Sequence, residues 1–186
     1  MGGSLNDDEI NEILDMPVYK GQILNFVETG TYRGVSTMVA AQKIKNVYTI
    51  EICQELYEST KNDLLSKGFT NIEFIFGDSL TELPSIMDKI NETDGGAIYF
   101  IDAHISGSDS GWNNTNRVPI FEELDIILSY KIKPSVFIID DLRLWKNNTW
   151  DWAHVTNEKL LSFFSERGVN VSTSYEKDDR FYILTD

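Results

Sequence analysis

Five short, almost continuously apolar runs recur along the chain, and segments with helical periodicity separate them. Apolar runs of this kind are typical of parallel strands that are covered on both faces. Strands and helices that alternate at this spacing predict an α/β fold with a doubly wound, Rossmann-like sheet. The predicted strands are 23–28, 47–51, 72–77, 97–102 and 135–140, and the predicted helices are 6–16, 35–45, 53–67, 81–90, 119–130 and 156–166.

The pattern changes near the C-terminus. Residues 169–175 and 180–185 are two further predicted strands, and only the four residues Glu-Lys-Asp-Asp separate them. A connection this short cannot hold a helical crossover, so the two strands must pair antiparallel. The sequence therefore predicts a seven-stranded sheet that is mostly parallel and closes with an antiparallel C-terminal hairpin.

Length and composition indicate one ordinary globular unit. The chain has 186 residues, of which 41% are hydrophobic and 25% are charged, and this is enough to bury a substantial core. We divide it into an N-terminal helical segment, residues 1–21, and a single domain, residues 22–186.

The charge balance restricts the expected partners. Thirty acidic residues against sixteen Lys and Arg give a net charge of −14, and such a surface repels nucleic acid and anionic membranes. Cys53 is the only cysteine, no apolar run approaches the roughly 20 residues of a membrane span, and the N-terminus does not resemble a signal peptide. We therefore expect a cytoplasmic protein with a small-molecule partner. The oligomeric state stays open, with a homodimer as one option.

Acidic residues stand at or just beyond the carboxyl end of every predicted parallel strand. They are Glu28, Glu51, Asp78, Asp102, Asp140 and Asp141, and we call this set the acidic rim. In a doubly wound sheet, ligands bind beyond the carboxyl ends of the strands, near the point where strand order reverses. Helix capping would explain any one of these acids, but an acid from each of five strands predicts a ligand site.

The loop after the first strand, Glu28-Thr29-Gly30-Thr31-Tyr32-Arg33-Gly34, narrows the choice of ligand. Tyr32 occupies the middle glycine of the dinucleotide fingerprint, and no Gly-Lys-Ser/Thr follows as in a P-loop, so a pyrophosphate is disfavoured. S-adenosylmethionine carries a sulfonium cation and no phosphate, which suits an acidic rim. An NAD-dependent oxidoreductase is the weaker alternative.

Parts of the rim match parts of this cofactor. Glu28 suits the ammonium group, and Gly30 leaves room for the methionine part. Glu51 lies 23 residues further on, near the spacing at which an acid accepts both ribose hydroxyls. Asp78 suits the adenine amino group. The complete predicted cofactor set is Glu28, Thr29, Gly30, Tyr32, Gly34, Ser36, Glu51, Ile52, Asp78, Ser79 and Asp102.

The successive segments "ETGTYRG", "TIE", "GDS" and "FIDAH" resemble the motifs of class I S-adenosylmethionine-dependent methyltransferases. The resemblance extends over residues 22–185 and includes the seven-stranded sheet with its antiparallel last strand. One position departs from the pattern, because the family often has Gly-x-Gly where this chain has Gly30-Thr31-Tyr32. The resemblance implies the cofactor, and the departure affects its exact pose.

Asp102, Asp140 and Asp141 at adjacent strand ends form a possible oxygen cluster. Crowded carboxylates repel one another unless protons or a cation intervene, and oxygen ligands suit Mg²⁺, Ca²⁺ or Mn²⁺. The arrangement resembles metal-dependent O-methyltransferases of catechols and macrolide sugars, in which acids after the fourth and fifth strands bind Mg²⁺. Asp141 capping the following turn is the alternative.

His104 and Asp102 are the predicted catalytic residues, with His104 either a general base or a support for its loop. The acceptor pocket is expected between residues 104–117 and 142–152, which contain all four tryptophans: Trp112, Trp145, Trp150 and Trp152. Core packing is the expected role of one or two of them, and Arg143 is the expected ion partner of Asp141. The sequence thus predicts methyl transfer to a small-molecule or sugar hydroxyl, with a metal-independent methyltransferase and a non-catalytic cofactor-binding protein as alternatives.

Overall fold

The computed structural model describes residues 3–104, 117–147 and 149–186. Within these residues the strands are β1 (Ile23–Thr29), β2 (Asn46–Glu51), β3 (Ile72–Phe76), β4 (Gly96–Ile101), β5 (Ser135–Ile139), β6 (Val171–Lys177) and β7 (Arg180–Thr185). The helices are α1 (Asp7–Asp15), α2 (Val35–Ala41), α3 (Gln54–Ser66), α4 (Ser79–Asn91), α5 (Ile120–Leu128), α6 (Leu142–Lys146) and α7 (Asn157–Glu166), with a 3₁₀ turn at Trp150–Trp152.

The strands form one sheet in the order β3-β2-β1-β4-β5-β7-β6. Strands β1 to β5 pair in parallel, whereas β7 pairs antiparallel with both β5 and β6. The predicted α/β fold and its terminal hairpin are confirmed. Strand order reverses between β1 and β4, so the loops after these two strands border the crevice in which such sheets bind ligands.

The two faces of the sheet are covered by different helices. On one face, Ile10 and Ile13 of α1 join the same core cluster as Phe26 and Ile98. On the other face, α4, α5 and α7 pack over Val27, Tyr99 and Phe137, among others. The N-terminal segment is thus part of the core on the α1 face of the sheet. No helix of the described ranges has the length and apolar character that crossing a bilayer requires.

Helix ends follow local signals in the sequence. Asn6 caps α1. Its side chain accepts hydrogen bonds from the amides of Asp8 and Glu9, and the Glu9 carboxylate accepts one from the Asn6 amide. Such a capping box satisfies amides at the helix start. Helix α2 ends at Ala41, four residues before the predicted end at 45. Residues 142–152, expected as a loop, instead hold α6 and the 3₁₀ turn, which are too short for a periodic pattern to reveal.

Candidate cofactor and cation site

The loop after β1 is held close to the ends of its two neighbours. The amides of Gly30 and Thr31 both donate to the Ile50 carbonyl, at 3.0 and 3.1 Å. Gly30 has a φ of +89°, and a Cβ added there would lie 2.7 Å from the carbonyl oxygen of Asp102. Glycine is therefore required both by the backbone conformation and by the close approach of β4.

Glu51 at the end of β2 fixes the tip of this loop. Its carboxylate accepts from the Tyr32 amide at 2.8 Å and from the Cys53 amide at 2.9 Å. Tyr32 has a φ of +49°, a left-handed conformation that favours glycine, and its side chain is 47% exposed. The position that usually carries the middle glycine thus keeps a glycine-like backbone, while the tyrosine ring extends into solvent.

Glu28 lies in the wall of the site. It is buried, and its Oε2 accepts from Thr37 Oγ1 at 2.5 Å and from Thr49 Oγ1 at 2.7 Å. Burial raises the pKa of Glu28 to about 8, against the lowering effect of these two hydroxyls. Glu28 therefore links β1 to β2 and α2. An ammonium group could contact it only by reaching a side chain that is buried in the wall of the site.

The remaining predicted cofactor residues line the same edge. Asp78 caps α4 and accepts from the Leu80 amide at 2.9 Å, and the adjoining Ser79 is buried. Gly34, with a φ of +66°, precedes α2, and a Cβ there would meet Thr60. The last members of the set are the half-buried Ile52 after β2, the buried Ser36 on α2, and Thr29 at the end of β1.

Glu123 is a residue that the sequence did not predict for the site. It is fully buried in the first turn of α5, and Thr29 Oγ1 donates to its Oε2 at 3.2 Å. Its Oε1 has no hydrogen-bond partner in the described structure. Burial raises the pKa of Glu123 to about 8. The signal was present in the sequence, since an acid interrupts the apolar face of an otherwise core-facing helix.

His104 bridges the ends of β4 and β5. Its Nε2 lies 2.7 Å from Asp141 Oδ2, and its Nδ1 lies 3.4 Å from Asp102 Oδ1. Burial lowers the pKa of His104, but hydrogen bonds and charges from the two aspartates outweigh burial and raise it to about 10. His104 is therefore an imidazolium at neutral pH in this arrangement, and this protonation state cannot accept a proton from an acceptor hydroxyl.

Asp141 adopts an unusual backbone conformation, with a φ of +64°. Its carboxylate pairs with His104 through Oδ2 and with Arg143 through Oδ1, and these partners lower its pKa although burial opposes them. The expected Arg143–Asp141 ion pair is therefore present. The side chain of Asp141 makes no capping bond to α6, so helix capping does not account for this residue. Non-glycine residues held in such conformations cluster at functional sites.

Asp140 does not share a site with Asp102 and Asp141. Its carboxylate is not part of the group of possible ligand atoms formed by Asp102, His104 and Asp141, and its Oδ1 lies buried, 3.2 Å from Arg180 Nε. Burial and then repulsion by Asp102 raise the pKa of Asp140 to about 7, while Arg180 acts in the opposite direction. The predicted cluster of three aspartates is thus, in the structure, two aspartates and His104.

Two of the four tryptophans are core residues beside this cluster. Trp145 and Trp152 are buried and stacked, with ring centroids 5.7 Å apart. The ring of Trp152 also meets the His104 ring edge-on at 5.1 Å. Trp150 opens the 3₁₀ turn. Trp112 and most of the predicted 104–117 loop lie outside the described residues.

Asp102, His104 and Asp141 could together hold a cation. One ligand atom from each residue can be chosen so that all three lie within 4.8 Å of one another. Two carboxylates suit Mg²⁺ or Mn²⁺, and the imidazole shifts the preference toward Mn²⁺ and later transition metals. Binding would require His104 to release its proton, because metal ligands must be deprotonated.

Comparisons with known proteins place the fold. No protein-family model matches the sequence. An uncharacterised protein of Methanocaldococcus jannaschii is 43% identical over 54 residues, which cover 29% of this chain and only 21% of that protein. Among solved structures, the O-methyltransferase TomG of Streptomyces achromogenes, involved in tomaymycin synthesis and solved with S-adenosylmethionine, matches with a TM-score of 0.60. The alignment has 20% identity and covers 88% of this chain and 73% of TomG.

This is the fold of the S-adenosylmethionine-dependent methyltransferases. An rRNA methylase of Streptococcus thermophilus shares it, with a TM-score of 0.53 and 17% identity over 97% of this chain and 92% of that protein. The methyltransferase fold thus occurs in proteins with unlike acceptors. Function must therefore be argued from the site of this chain.

Proposed function

We propose that the protein transfers a methyl group from S-adenosylmethionine to a hydroxyl of a small molecule or sugar. The observation that carries the proposal is Glu51, a buried carboxylate at the end of β2 in a methyltransferase fold, where two backbone amides fix it against the loop after β1. Each carboxylate oxygen of Glu51 accepts one of these amide bonds and can accept a further hydrogen bond. The two oxygens together therefore suit the two hydroxyls of a ribose. Neutral donors satisfy Glu51 and leave its negative charge to attract a cationic cofactor.

The reaction itself is a displacement at carbon. The acceptor oxygen forms a bond to the methyl carbon, the bond from that carbon to the sulfonium sulfur breaks, and the electron pair stays on sulfur. The hydroxyl proton leaves to a base or to solvent. The chain contributes mainly by aligning the two substrates and excluding water, and such positioning accounts for a large share of rate enhancement.

Asp102, His104 and Asp141 are the candidate residues on the acceptor side. A divalent cation held there would bind the acceptor hydroxyl and lower its pKa. His104 would then give up its proton and act as a ligand rather than as the base. Asp102 orients His104 from one side and Asp141 from the other.

A metal-independent methyltransferase is the second candidate, and the same cluster supports it. His104 and Arg143 already balance the charges of Asp102 and Asp141, so the arrangement is stable without a cation. The enzyme would then rely on alignment of the two substrates. Activity in the presence of EDTA separates the candidates. Full activity after chelation would exclude a role for the cation, whereas a loss of activity that Mn²⁺ or Mg²⁺ restores would support one.

Cofactor binding and methyl transfer can be tested separately. Cys53 is the only cysteine and adjoins the residues around Glu51, so bound S-adenosylmethionine should slow its alkylation, while NADH should not. A screen of phenols, sugars and glycosides with methyl-labelled cofactor then tests catalysis. Binding without any labelled product would indicate a non-catalytic cofactor-binding protein. Absence of both binding and Cys53 protection at millimolar cofactor would refute the proposal.

A further inference from the structure

Arg180, the first residue of β7, joins the N-terminal segment to the end of β5. Its side chain is buried, and its guanidinium lies between two buried carboxylates. NH1 pairs with Glu9 of α1, Nε lies 3.2 Å from Asp140, and NH2 donates to the carbonyl of Gly3. The hydroxyl of Tyr182 also donates to Glu9, at 3.1 Å. One cation therefore contacts groups from three separate parts of the chain, and its contact with Asp140 is an ion pair without a hydrogen bond, since Asp140 Oδ1 and Arg180 Nε have no hydrogen-bond partner in the described structure.

The hairpin turn before Arg180 holds the residues that follow Asp141. The carbonyl of Asp179 accepts from the Leu142 amide at 2.8 Å, and its Oδ1 accepts from the Arg143 amide at 2.7 Å. Oδ2 of Asp179 pairs with the Arg143 guanidinium, which also pairs with Asp141. The turn thus fixes the chain on the C-terminal side of Asp141, while Arg180 fixes Asp140 on its N-terminal side.

The N-terminal segment is fastened at a second point. The Leu5 amide donates to Ser36 Oγ on α2 at 2.9 Å, and both Leu5 and Ile10 are fully buried. The N-terminal segment therefore contacts the first turn of α2, on the cofactor side, through Leu5. It contacts Arg180, beside the candidate cation site, through Gly3 and Glu9. The ion pair of Glu9 with Arg180 and the hydrogen bond from Tyr182 to Glu9 are buried links between this segment and the hairpin.

We propose that Arg180 and Asp179 are positioning residues that transmit docking of the N-terminal segment to Asp141. The inference rests on the cation site of the proposed function. Asp141 occupies a left-handed conformation, which is uncommon for a non-glycine residue, and the bonds of Asp179 to Leu142 and Arg143 hold the chain that follows it. Removal of the Glu9 charge leaves a buried guanidinium with one carboxylate instead of two, and buried ions respond strongly to loss of a partner. Asp140 is then drawn toward Arg180, and Asp141 moves with it.

The test compares three single substitutions in the full chain. Glu9→Gln removes the buried charge but keeps the capping box, because Gln serves in that motif as well as Glu. Asp179→Asn removes the charge beside Arg143 and keeps a residue type that tolerates the left-handed conformation at this position. Glu12→Gln is the matched control, because Glu12 pairs with Lys177 between the same helix and the same hairpin, but on the surface.

Affinity for Mn²⁺ is measured from the electron paramagnetic resonance signal of the free ion, and affinity for S-adenosylhomocysteine is measured by calorimetry. We expect Glu9→Gln and Asp179→Asn to weaken Mn²⁺ binding about tenfold, because loss of a residue that orients a metal ligand typically lowers metal affinity by about 10–100-fold. Glu12→Gln should leave it unchanged, and all three variants should keep their affinity for S-adenosylhomocysteine.

The outcomes separate this inference from the proposal on which it rests. Equal Mn²⁺ affinity in wild type and all variants would overturn the positioning role and leave the cation site standing. A parallel loss of Mn²⁺ and S-adenosylhomocysteine binding would show a merely structural role and overturn it too. Failure of the wild type to bind Mn²⁺ would remove both the cation site and the positioning role, while S-adenosylhomocysteine binding would still support methyl transfer.

Discussion

The two halves of the acidic rim satisfy their carboxylates in different ways. At the ends of β1 and β2, Glu28 and Glu51 accept hydrogen bonds from threonine hydroxyls and backbone amides. Within the described residues, neither of them has a salt bridge. At the ends of β4 and β5, Asp102 and Asp141 face the cationic side chains of His104 and Arg143. The first half therefore lacks cationic partners among the described residues, and the second half is already balanced.

This difference predicts different ligands for the two halves. A buried carboxylate that is held by neutral donors gains from any cation brought close to it, and a sulfonium cofactor supplies one. A metal in the second half must instead displace the proton of His104 before it can bind. We therefore expect the cofactor to bind without other additions, and we expect metal affinity to rise with pH. The predictions below test each half.

Loss of Asp141 should have the largest effect, because this carboxylate holds both His104 and Arg143. Asp141→Asn leaves two cations around a neutral amide, and breaking a buried ion pair costs about 3–5 kcal/mol. We expect methyl transfer to fall by about 100-fold or more, since mutation of a residue that merely orients a metal ligand already costs about 10–100-fold. Product formation with labelled cofactor measures this effect.

Asp178→Asn is the control for that experiment. Asp178 is an exposed residue of the β6–β7 turn with a φ of +49°, a conformation that asparagine also adopts. Its replacement should leave the rate within a factor of two or so of wild type, because surface changes rarely exceed about 0.5 kcal/mol. An Asp141→Asn variant as active as this control would remove Asp141 from the mechanism.

Glu51→Gln should weaken the cofactor half by a smaller factor. A hydrogen bond to a charged group contributes about 1.5–3 kcal/mol, so we expect affinity for S-adenosylmethionine to fall roughly 10–100-fold. Calorimetry measures it, and Glu55→Gln on the exposed face of α3 is the matched control. Unchanged affinity in Glu51→Gln would show that the cofactor does not reach the end of β2.

The contrast between the halves also explains what the sequence could and could not reveal. Strand-end position alone predicted that Glu51, Asp102 and Asp141 lie at one edge of the sheet, because parallel strands place their carboxyl ends there. It could not separate Asp140 from Asp141, since the buried pairing of Asp140 with Arg180 depends on a residue 40 positions away in β7. Pairing across 171 positions, as between Glu9 and Arg180, has no local signature in the sequence.

Strand order was likewise outside the reach of periodicity. The apolar runs gave seven strands and an antiparallel hairpin, but the insertion of β7 between β5 and β6 is a matter of tertiary packing. Glu123 shows the same limit at the level of one residue. Its helix has the apolar spacing of a core helix, and only the fold shows that its carboxyl meets Thr29 beside the cofactor loop.

Gly30→Ala should separate the effect of the close contact between Gly30 and the Asp102 carbonyl from the effect of the left-handed backbone conformation at Gly30. Gly68 is its control, because the two glycines have φ values of +89° and +88°, and a Cβ at Gly68 would meet nothing within 4 Å. Gly68→Ala should therefore cost only the left-handed conformation, about 1–2 kcal/mol. Gly30→Ala should cost more and should also lower cofactor affinity, because its Cβ displaces the Asp102 carbonyl. Denaturant titrations and calorimetry measure both effects, and equal losses in the two variants would contradict this contact.

The pH dependence of stability tests Glu28 in the first half of the rim. The folded protein keeps Glu28 protonated up to its pKa of about 8, whereas the unfolded chain ionises near 4.5. Between these values unfolding releases a proton, so stability falls as pH rises, by at most about 1.4 kcal/mol per pH unit from this group. Below pH 4.5 the contribution is fully present, and above pH 8 it is lost.

Glu28→Gln isolates this contribution from the repulsion among the other acidic residues. The amide oxygen still accepts from Thr37 and Thr49 but does not titrate, so the fall in unfolding free energy between pH 5 and 8 should be shallower than in wild type. Urea titrations at several pH values measure the two slopes, with Glu55→Gln as a variant that should retain the wild-type slope. Parallel slopes in Glu28→Gln and wild type would mean that Glu28 is already ionised in the folded protein. A nearby cation would then compensate it, and the distinction between the two halves of the rim would not hold.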